Sequence, residues 1–514
     1  MIDTAALREK VLDLAIRGKL VPQDPTDEPA SVLLERIHEQ KLQMVREGKL
    51  KAKDVKDDTI IFKGDDNCYY EKFSDGSVKN IQDEIPFDLP EGWSWSRISS
   101  IGTTNIGLTY KPTDIANEGT IVLRSSNIKN GKIDLTDLVR VKTIIRENQF
   151  VEQNDIVICA RNGSKALVGK CAIFNLAMSE SVSFGAFMAI LRTAFYDYVY
   201  YFLNTQLFRN ILNSDDSKQI NQLTQDMLKN TLIPFPPQNE QRKIVSALNE
   251  IMHQISSIDN NTNAVEHTKE VLKSRILELA IQGKLVPQNE NDEPASVLLE
   301  RIRAERKANL GKKYVESYIF KGDDNCYYEK VGNTSKKISD EMSFDLPFGW
   351  CWITLKEIAT ITSGKTPKNE QITDLGNIPY FKVGDMNLPG NEIFMEVVQY
   401  YVNDCYTGIT FPKDSFIFPK NGGALLTNKK RILKQESLVD LNTGVLIPSS
   451  AVNNEFMFYL FSTVDFTKNY KGSTIPTIDN EMIGNIVFAL PPIEEQSRIV
   501  QKIKALMSIL KGGD

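Results

Sequence analysis

The amino-acid sequence predicts an α+β protein: two pseudo-twofold-related globular inserts held apart by an antiparallel, two-stranded helical spacer of coiled-coil type. Three observations predict it. Blocks of sequence recur: Gly18-Lys19-Leu20-Val21-Pro22-Gln23 returns as Gly283-Lys284-Leu285-Val286-Pro287-Gln288, Phe62 to Lys72 returns letter for letter as Phe320 to Lys330, and Pro236-Pro237 is answered by Pro491-Pro492. The segments between these blocks have diverged, so identical frames carry dissimilar inserts, as in a duplicated unit. The second observation is an apolar run after Pro237 (Ile244, Leu248, Ile251, Ile255, Ile258, Val265, Leu272, Ile276 and Leu279) with a heptad spacing. Such a seam must be buried against another helix. Third, both chain ends carry pieces of the same seam: Leu7, Val11 and Leu14 match its second half, and Ile499, Ile503, Leu506 and Leu510 its first.

Size and charge narrow the classes. The 514 residues exceed what one hydrophobic core holds and suit a repeated unit of roughly 255 residues. With no leader and no apolar run near about 18 residues, a cytoplasmic protein without a membrane span is expected. Six cysteines, none in a CxxC pair, read as reduced structural thiols. A formal charge of −6 argues against coating nucleic acid with the whole surface, yet leaves room for a local footprint. The first insert has 15 basic and 12 acidic residues and the second 12 and 14, so electrostatics alone does not identify a DNA binder.

Residues 1–20 are the N-terminal half-helix of the spacer. Residues 21–96 form a helical and hairpin arm: Asp27-Glu28-Pro29-Ala30 provides an N-cap, an acidic first turn and an early proline before a charged helix. The repeated FKGDDNCYYEK block reads as strand, Gly-Asp-Asp-Asn turn and strand, because EF-hand spacing is absent. Residues 97–237 are the first insert, with strands at Thr120–Arg124 and Asp155–Cys159 and a helix from Tyr196 to Leu212. A strand stopped by Pro236-Pro237 leads into the central spacer segment, 238–285, whose heptad period from Glu240 to Gln282 implies a helix of 43 residues, about 65 Å long at 1.5 Å per residue. Gly283 is its C-cap, and the poor helix formers Asn260-Asn261-Thr262-Asn263 mark where it would break or kink. The plan repeats with an arm at 286–352, a second insert at 353–492 holding a strand from Ile378 and a helix from Glu455 to Phe461, and the C-terminal half-helix at 493–514.

Motifs for chemistry mostly fail. Ala359-Thr360-Ile361-Thr362-Ser363-Gly364-Lys365-Thr366 fits a loose phosphate-loop pattern, which would make the chain a duplicated ATPase. The first copy has Gly107-Leu108-Thr109 at that place, so the lysine is missing, and Pro367 follows where a helix should start. Phe235-Pro236-Pro237-Gln238 resembles the amide-binding motif of DNA amino-methyltransferases, without its flanking polar and aromatic residues or a Gly-rich cofactor loop. His38, His253 and His267 sit on polar helix positions, which leaves no zinc set and no histidine base. A non-catalytic chain without a cofactor or metal of its own is expected.

What remains is a set of polar and basic turns in the inserts. In the first these are Thr109-Tyr110-Lys111, Arg124-Ser125 with Asn127, Arg161-Asn162-Gly163-Ser164-Lys165, and Lys218-Gln219 with Asn221-Gln222. In the second they are Ser363-Gly364-Lys365-Thr366, Lys382, Asn421-Gly422, Lys429-Lys430-Arg431 and Ser473-Thr474. Arg and Lys suit guanine or phosphate, Asn and Gln suit adenine, and Ser and Thr serve either. A helical scaffold that binds only protein partners is the competing reading.

These features resemble the specificity subunit of type I restriction-modification systems. The resemblance spans essentially the whole chain. It rests on the Arg/Lys-Asn-Gly and Gly-Leu-Thr-Tyr-Lys-Pro turns, on Pro-Pro-x-x-Glu-Gln-x-x-Ile at Pro236 to Ile244 and Pro491 to Ile499, and on Leu-Ala-Ile-x-Gly-Lys-Leu-Val-Pro-Gln. It implies two target-recognition domains, each reading one half of a bipartite, asymmetric site on double-stranded DNA. It also implies helices that dock two methyltransferase subunits, and restriction or motor subunits that join the complex. S-adenosylmethionine, ATP and magnesium would then be used by those partners. The long arm in each copy departs from a minimal member of the family.

Overall fold

The computed structural model describes residues 2–52, 55–213, 222–339, 342, 344–403, 405–468, 470–472 and 475–512. The chain divides into two compact units, 1–263 and 264–514. Among the described residues no helix is long and apolar enough to cross a membrane.

In the first unit the N-terminal helix, Thr4–Ile16, starts where the Asp3 carboxylate accepts the Ala6 N–H. It runs antiparallel to the first half of the central helix. Thr4 Oγ1 donates to Asp259 at 2.5 Å and Arg8 pairs with the same carboxylate at 2.6 Å, while Val11, Leu12, Ala15 and Ile16 share one core with Ile244 and Leu248. Of the seam residues here, Val11, Ile244, Leu248 and Ile255 are buried and Leu14 and Ile251 are half-buried, but Leu7 is 37% exposed. The apolar stripe fades away from the globular body, where polar pairs to Asp259 take over. In the second unit Ile499 and Ile503 of the C-terminal helix, Ile493–Lys511, are buried, and Ile276, Leu279 and Leu506 are half-buried. Leu272, 44% exposed, does not seal a seam there; its stretch of helix carries the pairs Lys269–Glu266, half-buried, and Lys273–Glu270. The central helix spans Gln238–Ile281 and continues through Asn260 to Asn263 without the expected break, since each weak helix former costs only a few tenths of a kcal/mol.

The recurring blocks build one knot in each unit. Gly18 and Gly283 have φ of 65° and 66°. An added Cβ would lie 2.5 Å from Pro90 or 2.4 Å from Pro347, so the turn that ends each helix leaves no room for a side chain. Gln23 and Gln288 donate back to the carbonyls of Gly18 and Gly283, both at 2.6 Å. The indoles of Trp93 and Trp350 donate to the buried carboxylates of Glu240 and Glu495, both at 2.9 Å. Burial raises the pKa of both glutamates, and the indole bonds only partly oppose it. Gln241 and Gln496 close the knot on the carbonyls of Pro236 and Pro491.

Each insert is sealed by an antiparallel strand pair, Ser94–Arg97 with Leu232–Phe235 and Cys351–Thr354 with Val487–Leu490. Between them, among the described residues, lie two larger sheets, and the first insert adds the short pair Ile128–Lys129 with Lys132–Ile133. The first insert orders one as Cys171–Ile173, Ile156–Cys159, Met188–Arg192, Thr103–Ile106 and the other as Val182–Phe184, Thr120–Leu123, Val139–Val141, Ile115–Ala116. The second insert repeats both orders, adding Phe394–Met395 as a fifth strand to one of them. The helix expected from Tyr196 to Leu212 is two, Tyr196–Leu203 and Gln206–Asn213. Asn204 and Thr205 break it by spending their side chains on the carbonyls of Tyr200 and Phe202.

The repeated block is a hairpin, with Gly64 N–H bonded to Cys68 O and Asn67 at φ 63°. A third strand, Val78–Asn80 or Thr334–Lys337, completes each arm sheet.

Candidate nucleic-acid interface

The loops at one end of each pair of sheets come together as a rim. In the first unit Thr103–Ile106 ends at Gly107, where a Cβ would stand 2.0 Å from the Gly185 carbonyl oxygen; Gly364 stands in the same relation to Asp440 at 2.1 Å. Only glycine allows the strand end to lie against the turn that follows Val182–Phe184 or Leu438–Val439. Next to this contact sit the ends of Thr120–Leu123 and Ile156–Cys159. The Asn162 amide donates to Ser125 Oγ at 3.3 Å, Arg161 lies over Phe187, and Arg161 forms a β-bridge with Gln222.

Thr109, Lys111, Arg161, Gly163, Ser164, Lys165 and Gln222 are exposed on or near this rim, and Tyr110, Ser125 and Asn162 are half-buried. Arg124 is partly tied down by Asp137 at 2.8 Å. Asn127 is no reader: it is 1% exposed, its carboxamide oxygen accepts the Arg124 N–H, and its amino group donates to the carbonyls of Asp134 and Asp137. Lys218, Gln219 and Asn221 lie outside the described residues, as do Ser473 and Thr474 of the second insert.

In the second unit Lys365 and Thr366 are exposed, and Ser363, Gly364, Asn421 and Gly422 half-buried, around the same place. The Gly364 and Lys365 amides donate to Thr443 O and Val439 O, and the next element is a short turn, Asn369–Gln371. A phosphate-binding loop needs those amides free and a helix behind them, so the ATPase reading finds no support here. Lys382 rests over Tyr400 with its ammonium 3.9 Å from the ring centroid. Lys429 contacts the Asn387 side chain, and Arg431 donates to Met386 O at 3.1 Å. Lys430 is excluded from the rim: it is 6% exposed, its ammonium bonds Asn428 and Val464 O, and burial pulls its pKa down to about 8.

Three rim residues were not among the expected readers, although Lys420 opens the Lys-Asn-Gly turn. Lys420 donates to Ser363 Oγ at 2.6 Å and Asn480 Oδ1 at 3.0 Å, and burial lowers its pKa. Phe187, 60% exposed, and Asn442, also exposed, occupy corresponding places before Met188–Arg192 and Thr443–Pro448. Insertions between the copies shift their alignment, and only the strand register restores it. Among the described residues no cluster of His, Cys, Asp and Glu is placed to hold a metal.

The type I restriction modification DNA specificity domain model matches residues 90–267 and 347–512, the two inserts with the helices that follow them. The EcoAI specificity subunit of Escherichia coli is 26% identical over 98% of this chain and 88% of its own length. The EcoEI specificity subunit of the same organism is also 26% identical, over 98% and 89%. The EcoKI specificity subunit of E. coli strain K12 reaches 32% identity over 42% of this chain and 48% of its own. A chain from a structure of complex assembly and conformational transition in a type I R-M system shares the fold, with a TM-score of 0.56, 16% identity, and coverage of 83% of this chain and 93% of that one. With a match across both repeats and full-length relatives of one kind, the chain belongs to the family of type I restriction-modification DNA specificity subunits.

Proposed function

We propose that the rim of each unit is a DNA-reading surface and that each unit reads one half of a bipartite, asymmetric site. One observation carries this: the two inserts keep the same sheet order, the same glycine-pinned contact and the same knot, while their exposed rim side chains differ. Shared framework with exchanged polar groups suits two readers of different sequences. The central helix and the two terminal helices serve as an antiparallel, coiled-coil-like spacer that sets the unread gap, at about 3.4 Å per base pair. Because the knots are alike, the helical frame offers equivalent docking surfaces to two copies of one methyltransferase subunit, with restriction or motor subunits completing the assembly. A modest surface charge fits this role, since partner subunits can supply much of the phosphate contact.

The test is an exchange of residues 98–231 for the matching segment of a relative, leaving the closing strand pair intact. Mapping of methylated adenines by the assembled complex should show one half of the recognition sequence replaced and the other, with the gap, unchanged. Change in both halves, or in neither, contradicts modular reading.

A further inference from the structure

The two rims contain one slot with the same backbone bonding and exchanged side chains. In the first unit the Ala160 N–H donates to Phe187 O at 2.9 Å, Ala160 O accepts the Leu223 N–H at 2.7 Å, and Arg161 bridges Gln222. In the second, the Lys420 N–H donates to Asn442 O at 2.8 Å, Lys420 O accepts the Ile478 N–H at 3.0 Å, and Asn421 bridges Thr477. The Arg-Asn-Gly and Lys-Asn-Gly turns, which look equivalent as sequence, are therefore offset by one residue. Arg161 corresponds to Asn421, whereas Lys420 corresponds to Ala160 and turns back onto Ser363 and Asn480. Three positions thus hold Arg161, Phe187 and Gln222 in one unit and Asn421, Asn442 and Thr477 in the other.

The chemistry of the slot differs accordingly. Arg161 is exposed, its guanidinium carbon is 5.4 Å from the Phe187 ring centroid, and it makes no salt bridge among the described residues. An arginine steadied on an aromatic ring keeps its N–H fork available, and guanine presents the matching pair of acceptors, O6 and N7. Asn421 donates to the Asn442 carboxamide oxygen at 3.2 Å. That bond leaves one carboxamide oxygen and one amino group without a protein partner among the described residues. Adenine presents the complementary N6 donor and N7 acceptor. A phosphate clamp would call for a cation in both units, and the second has an amide pair at this position.

Resting on the reading proposed above, we infer that this slot reads one base pair in each half-site, with Arg161 specifying a guanine in the first unit's half and the Asn421–Asn442 pair an adenine in the second's. The experiment uses the full chain with its methyltransferase partner, carrying Arg161→Ala, Arg161→Lys or Asn421→Ala, and maps the methylated sequences. Both Arg161 variants should keep the second half-site and lose the requirement for guanine at one position of the first by about tenfold or more, because lysine keeps the charge but not the fork. Asn421→Ala should mirror this at one adenine of the other half. An unchanged guanine requirement overturns the assignment, as does a first half-site without guanine. Uniform weakening at all sites, spared in Arg161→Lys, also overturns it by making Arg161 a phosphate contact. If exchanging 98–231 replaces the half-site while these variants do not alter it, the slot assignment alone fails; if the exchange changes nothing, the domain-level reading fails.

Discussion

Arg97→Ala should destabilise the first unit by about 3–5 kcal/mol, the cost of stripping one partner from a buried ion pair. Arg97 is 8% exposed and holds Glu71, on the middle strand of the arm sheet, through two bonds of 3.0 and 2.7 Å. The same guanidinium reaches Glu84 at 2.7 Å and Asn230 O at 2.7 Å, so one side chain fastens the arm to its own closing strand and to the turn that precedes the other. Removing it leaves the Glu71 carboxylate buried with Thr59 as its remaining hydrogen-bond donor among the described residues. The second unit is spared, because there the corresponding Glu329 is held by Lys356.

The same pair gives a pH signature. Burial alone would raise the Glu71 pKa, but the hydrogen bonds from Arg97 and Thr59 outweigh it, and the net value lies below that of an ordinary glutamate. Its contribution is therefore complete above the unfolded value of about 4.3 and lost as pH falls through the lower folded value. Urea titrations of the wild type and the variant should converge in acid and diverge near neutrality. A difference near neutrality below about 1 kcal/mol, the range of exposed pairs, would contradict this account.

Gly364→Ala is expected to cost at least about 1–3 kcal/mol and to disturb sequence reading by the second unit alone. The new methyl would face the backbone oxygens of Asp440 and Val439 at 2.1 and 2.4 Å, and neither can move aside as a flexible side chain could. Gly423→Ala is the control, since nothing lies within 4 Å of where its methyl would stand. Thermal unfolding and the methylation pattern of the two variants should differ sharply; equal behaviour would show that the tight contact at Gly364 is not what holds the rim.

Much of the frame was legible because its signals are periodic or local. Heptad spacing predicts the central helix from Glu240 to Gln282, and the structure places it at Gln238–Ile281. The turn residues of FKGDDNCYYEK specify a hairpin, whereas Val78–Asn80, short and exposed, offers no apolar alternation to announce a third strand. The family was also legible, in turns and Pro-Pro frames that both copies share. The rim was less so. Asn127 and Lys430 have the residue types of readers, yet a buried carboxamide and a buried ammonium look the same as exposed ones in a sequence. Phe187 and Asn442 become comparable only once hydrogen bonds align strands whose connecting loops differ in length.

The central claim is that one chain carries two independent readers at a set separation. Its most direct test is a genome-wide map of adenine methylation with this chain and the proposed methyltransferase partner present. The account predicts a single motif of two unlike specific halves around an unread gap of constant length. A continuous motif, a palindrome, or a gap that varies from site to site would contradict it.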